Sequence, residues 1–158
     1  MENCVDIINL RPKKHEKPLI PFLTEENLSV LLAQPDASTR QGLRDLALLS
    51  LLYDSGARVQ ELVDLKLKDI RLTHPAMAVL TGKGRKSRQV PLMKDTCKLM
   101  DRYIRAFHSG SQSQLVPLFY NGKKQALSRY GVTYILKKYA EKASPVLEPQ
   151  KISPHVLR

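Results

Sequence analysis

The chain has no tryptophan, and aromatic residues make up only 6% of it. Proteins that hold single-stranded nucleic acid stack bases on aromatic rings, so this scarcity speaks against a stacking platform. Its two cysteines, Cys4 and Cys97, form no Cys-x-x-Cys pair; a reduced, cytosolic protein is the simpler reading. The four histidines (His15, His74, His108 and His155) are scattered without metal-ligand spacing, and no metal is expected. No apolar run approaches the ~20 residues that cross a bilayer, which excludes a membrane-spanning role on this pattern. The opening MENCVDIINLRPKK has the build of neither a signal nor a transit peptide. Repeats are lacking too, and the one low-complexity tract is the six-residue SGSQSQ loop.

Acids are also few. Asp and Glu total 15 against 26 Lys and Arg, a formal net charge of +11. Such a balance points to a polyanionic partner, although ribosomal and membrane-surface proteins share it. With 158 residues, 42% of them hydrophobic and 26% charged, the chain is one soluble domain long enough for a real core.

Residues 1–21 read as a linker, because RPKKHEKPLIP carries Pro12, Pro18 and Pro21. Order is expected from Thr24, an N-cap before EENLSVLLA with acids in the first turn. RQGLRDLALLSLLYDSG is apolar on most sides from Leu46 to Leu52, which predicts a buried central helix stopped at Gly56. A short helix, RVQELVDL, follows. DIRL, AMAVLTG and RQVPL read as strands, the last two joined by the GKGRKS turn. MKDTCKLMDRYIRAFH returns to helical spacing, with Met93, Cys97, Met100, Ile104 and Phe107 on one core stripe. Ser128 should cap a basic helix, RYGVTYILKKYAEKA. Ser153–Pro154 then opens a last helix that reaches Arg158 after barely one turn. The fold class expected is mainly α (α+β): helices around one small three-stranded antiparallel sheet.

Three constellations carry chemistry. In SGARVQEL, Arg58 follows a glycine turn at a helix start, where a phosphate would meet the guanidinium and free N–H groups. Glu61, three residues on, shares its face; taken alone, the two make an ordinary exposed ion pair worth a few tenths of a kcal/mol. In TGKGRKSRQVPL, Lys83, Arg85, Lys86 and Arg88 crowd one hairpin. This is no phosphate-binding loop of the nucleotide type, since Arg85 rather than Gly stands before Lys86. It is either a solvated charged turn or a DNA-facing one. In HVLR, His155 and Arg158 lie on one face of a turn, a pairing that suits a phosphate better than a lone structural histidine does.

The order of these pieces resembles the tyrosine recombinases, the phage-integrase family. Surrounding words match too: a Thr-Glu-Glu helix entry after a Pro/Lys linker, LLYDSGARVQEL, KDI before the first strand, and SRQVPL closing the hairpin. The resemblance covers roughly residues 18–158. It implies that Arg58, Lys83, His155 and Arg158 are catalytic, that Glu61 supports Arg58, and that Arg85, Lys86 and Arg88 bind DNA. In that family a tyrosine attacks a DNA phosphodiester and forms a 3′-phosphotyrosyl link, without metal or other cofactor. Two permanent cations grip the nonbridging oxygens, a lysine protonates the leaving oxygen, and a histidine takes the attacking proton.

The family's nucleophilic tyrosine follows the His-x-x-Arg helix, whereas all six tyrosines here lie upstream of His155. The resemblance therefore implies that residues 22–158 are a catalytic domain cut before its nucleophile, and that 1–21 are the linker and a remnant of an N-terminal DNA-binding domain. The intact protein would recombine double-stranded DNA as a tetramer, in the cytoplasm at the nucleoid, as the product of a mobile element or a resolution system. The fragment itself would be inactive. The alternatives are a non-catalytic DNA-binding remnant, a generic basic nucleic-acid binder, and a type IB topoisomerase, which shares the chemistry.

Overall fold

A computed structural model describes residues 23–144, 146–147 and 152–155. The linker expected over 1–21, the rest of the closing helix and Arg158 lie outside the described residues.

Local capping chemistry sets the helix boundaries. Thr24 Oγ1 accepts from the Asn27 N–H at 3.2 Å and starts α1, Glu25–Leu32, with Glu25 and Glu26 in its first turn. Asp36 then organises a tight turn, taking the N–H and hydroxyl of Ser38. Thr39 caps α2, Arg40–Ser55, through the Gly42 N–H. Gly42 is required there: a Cβ would lie 2.0 Å from the Asp36 carbonyl oxygen. The predicted stop at Gly56 is a left-handed cap with φ of 56°. Three residues later α3, Val59–Val63, begins.

α2 is the central helix that its leucines predict. Ala47, Leu48, Leu49, Leu51 and Leu52 are fully buried, and Leu31, Leu62, Leu80, Met100, Leu118 and Leu136 close around them. The three strands are β1, Ile70–Arg71, β2, Met77–Thr81, and β3, Ser87–Pro91, antiparallel in the order β1-β2-β3. Val79 pairs with Gln89 and Thr81 with Ser87, which fixes the hairpin register. On β2, Ala78 and Leu80 face the core between the more open Met77, Val79 and Thr81, the alternation of a sheet wetted on one side, whereas Ser87, Arg88 and Gln89 on β3 all stay exposed.

α4, Lys94–His108, packs on α2, with Met100 buried and Ile104 and Phe107 against the core as expected, but Met93 leaves the stripe. The helix begins at Lys94, so Met93 sits before the first turn. Its N–H is held by Asp54 Oδ2 at 2.8 Å and its side chain is 55% exposed. Tyr103 fills the buried position instead, donating its O–H to the Leu118 carbonyl at 2.6 Å. α5, Arg129–Lys142, is capped by Ser128 as predicted.

One buried polar cluster joins α2 to α5. Asp45 is inaccessible to solvent; its Oδ1 accepts from Arg44 Nε and Nη2, at 2.8 and 2.6 Å. Tyr139 donates its O–H to Oδ2 at 2.8 Å, and Arg44 Nη1 reaches the Tyr120 carbonyl at 3.1 Å. Burial and the Asp45 charge push the Tyr139 phenol well above the usual range.

Candidate active site

Arg58 occupies the N-cap of α3, with extended backbone angles. Glu61, one turn in, reaches back and accepts the Arg58 N–H at 2.8 Å, as the third residue of a helix does when it closes on the cap. The same carboxylate accepts from Arg58 Nη1 at 3.1 Å. Far from being an exposed ion pair, Glu61 is only 3% exposed. What buries it is the hairpin. Arg88, on β3, lays its guanidinium flat against the carboxylate, Nη1 to Oε1 and Nη2 to Oε2, both at 2.8 Å. Arg88 above all, helped by the Arg58 N–H and guanidinium, holds the Glu61 carboxyl at about 2 against the cost of burial.

Glycine makes the approach possible. A Cβ at Gly82 would stand 2.9 Å from Glu61 Oε1, so a larger residue would displace the carboxylate from its seat. Beyond Gly82 the chain turns through Lys83–Arg85, with Arg85 itself at φ of 59°. The turn is closed by the Gly82 N–H on the Lys86 carbonyl at 2.9 Å. Between α3 and this hairpin lies a pocket of about 320 Å³, lined by Arg58, Glu61, Gly82, Lys83, Lys86, Ser87 and Arg88. It is open to solvent, predominantly cationic, and large enough for one phosphate group. Lys83, Arg85 and Lys86 are exposed, and Arg58 keeps 56% of its side chain accessible.

The residues singled out in the sequence thus fall into four groups. Arg58, Glu61, Lys83, Lys86 and Arg88 converge on this pocket; Arg85 sits at the hairpin tip; His155 is exposed on the turn at 154–155 and does not line it. Arg158 is outside the described residues. Sequence reasoning missed the bidentate Arg88–Glu61 contact, since 27 residues separate the two and no local spacing links them. It also passed over Ser87.

A larger cleft of about 810 Å³ lies between the start of α2, the turn at Tyr120–Lys124 and α5, with Arg40, Phe107, Tyr134 and Lys138 among its walls. It holds none of the predicted constellations. Among the described residues no group of acids, histidines and cysteines is built to hold a metal ion, and no helix is long and apolar enough to cross a membrane.

The sequence model of the Phage integrase family matches residues 21–158. Tyrosine recombinase XerD of Xanthomonas axonopodis pv. citri is 39% identical over 155 residues, covering 93% of this chain and 50% of that protein. Tyrosine recombinase XerC of Staphylococcus saprophyticus is 37% identical over 149 residues, covering 94% and 49%. The chain therefore spans about half the length of the curated relatives it matches. Among solved structures, XerA recombinase superposes with a TM-score of 0.71 at 23% identity, covering 87% of this chain and 47% of that one. The XerH site-specific recombinase in its post-cleavage complex with palindromic difH superposes with a TM-score of 0.74 at 24% identity, covering 92% and 42%. At these identities the structural likeness is one of fold.

Proposed function

The chain belongs to the phage integrase family of tyrosine recombinases, and on that premise we propose that its described core is the phosphate-activating part of a site-specific DNA recombinase. The observation that carries the reading is the placement of Arg58 and Lys83 on opposite walls of one phosphate-sized pocket. A scissile phosphate seated there meets the Arg58 guanidinium, which stabilises negative charge as it builds on a nonbridging oxygen. Lys83 delivers a proton to the departing 5′ oxygen. His155 and Arg158 would complete the site once DNA is bound, the histidine relieving the attacking phenol of its proton.

The attacking phenol is proposed to come from outside these residues. Among the described residues no tyrosine lines the pocket. Tyr103 and Tyr139 are buried, and burial raises both phenols well above their ordinary value, away from nucleophilic use.

Duplex DNA binding tests the site. Exposed cations on the hairpin and on α5 (Arg129, Lys137 and Lys142) should give weak binding that falls steeply with salt, the logarithmic slope being about −0.9 per phosphate contacted. Arg58→Ala should lower affinity about tenfold and make that slope shallower by about one contact. Salt-independent binding, or an Arg58→Ala protein indistinguishable from the parent, would refute the assignment. Incubated with nicked duplex, the 158-residue chain should form no covalent adduct on a denaturing gel. An adduct mapped to one of its six tyrosines would overturn the proposal that the phenol comes from elsewhere.

A further inference from the structure

We propose that Arg88 is a positioning residue: by taking up the charge of Glu61 on both carboxylate oxygens, it keeps the Arg58 guanidinium available for phosphate. The proposal rests on the reading of the pocket as a phosphate site. Arg88 also stands in the sequence as one more hairpin cation for the DNA backbone, and the geometry separates the two roles.

The Glu61 side chain is 2% exposed, so water does little to satisfy it. Arg88 supplies a complete fork at 2.8 and 2.8 Å. Besides its backbone N–H on Oε2, Arg58 gives from its guanidinium only Nη1, at the longer 3.1 Å, and shares Oε1 with Arg88. One carboxylate against two guanidinia leaves the trio at +1. Without Arg88 it would sum to zero, and the buried carboxylate would claim the fork of the one guanidinium remaining. Arg58 would then turn its donor face onto Glu61 and away from the pocket. The Arg88 contact has a second effect. It ties β3, just beyond the turn that carries Lys83, to the helix start that carries Arg58, and the two halves of the pocket move as one. Lysine cannot do this equally well, because it offers a point charge rather than a planar fork.

Titration of inorganic phosphate into the 158-residue chain, followed by the Arg58 Nε–H cross-peak in a nitrogen–proton spectrum, tests the idea. Arg88→Gln should weaken phosphate binding about tenfold, the effect of losing one charge-assisted hydrogen bond at a partly exposed site. It should also raise the Glu61 carboxyl from about 2, read from its carbon shift against pH. The decisive arm is the double variant. In a Glu61→Gln background there is no charge to take up, so Arg88→Gln should change phosphate affinity less than about twofold. An equal loss in both backgrounds would mean that Arg88 holds phosphate directly, and the proposal would fall. Arg88→Lys serves if the glutamine variant folds poorly: it should lose affinity a few-fold in the parent chain, where the carboxylate is present, and lose none in the Glu61→Gln background. Arg58→Ala, with binding now followed by phosphorus NMR line broadening because the reporting side chain is gone, separates this idea from its premise. If that change leaves phosphate binding intact, the site reading fails; if it abolishes binding while Arg88→Gln does nothing, only the role of Arg88 fails.

Discussion

Replacing Asp45 by alanine should be among the most damaging single changes in the described core, although Asp45 touches no part of the candidate site. Its carboxylate is fully buried and receives two bonds from Arg44 and one from Tyr139, with Lys138 Nζ 3.8 Å away. Alanine removes the acceptor and leaves the Arg44 guanidinium, 11% exposed, with the Tyr120 carbonyl alone. Removing one member of a buried pair costs about 3–5 kcal/mol; the partial access of Arg44 to water puts this case near about 3. At this chain length that corresponds to a fall of about 6–12 °C in melting temperature. Equilibrium unfolding in urea measures it directly, the midpoint dropping while the slope stays constant. Two companions sharpen the result. Tyr139→Phe removes one hydrogen bond to a charge and should cost about 1.5 kcal/mol, and the paired change Arg44→Met with Asp45→Leu should recover most of the alanine loss, since it leaves no orphaned charge. A cost below about 1 kcal/mol for Asp45→Ala, or a paired variant worse than the single one, would refute the account of this cluster.

Acid should expose the Glu61 contacts: its carboxyl is held at about 2 in the folded chain against an ordinary 4.5, so its contribution is full above about pH 4.5 and is lost as pH falls towards 2. Screening at the half-exposed guanidinia limits that contribution to about 1–2 kcal/mol, and urea unfolding between pH 5 and 2 should show the gap between the parent and Glu61→Gln closing. Gly42→Ala, which general helix propensity would favour, should instead lower the melting temperature, because a Cβ 2.0 Å from the Asp36 carbonyl oxygen forces the backbone apart at about 1–3 kcal/mol; an unchanged or higher melting temperature would contradict it.

What could be read in the sequence divides by range. Thr24, Gly56 and Ser128 mark helix ends through contacts made within three residues of themselves, and each does so in the structure. The leucines of α2 announce burial because a helix apolar on most sides has nowhere else to go. The Arg58–Glu61 pair was equally visible, one helical turn apart. Its environment was not, since Glu61 is buried by a strand whose register is set by pairs such as Val79 with Gln89. Only the hairpin brings Arg88 across, and with it an exposed ion pair becomes a buried carboxylate shared by two guanidinia. Met93 leaves the core stripe for a smaller reason: α4 starts one residue later, and a side chain before the first turn need not follow the helix's period.

The Asp45 cluster is the instructive omission, because its signal was local and went unread. Arg-Asp stands at 44–45, inside the helix whose leucines already implied burial on most sides. A carboxylate there cannot be left without partners, since an unpaired buried charge costs several kcal/mol. Arg44, its neighbour in sequence, satisfies one oxygen and not the other. The remaining oxygen therefore requires a donor from another element, one that packs apolar against α2 yet carries a polar tip. Among the segments that follow, the basic helix opened by Ser128 offers that combination in Lys138 and Tyr139, and it is Tyr139 that the structure brings to Oδ2. Asking where each buried charge finds its partners would thus have predicted a side-chain link from α5 to α2, a contact that apolar periodicity alone leaves open.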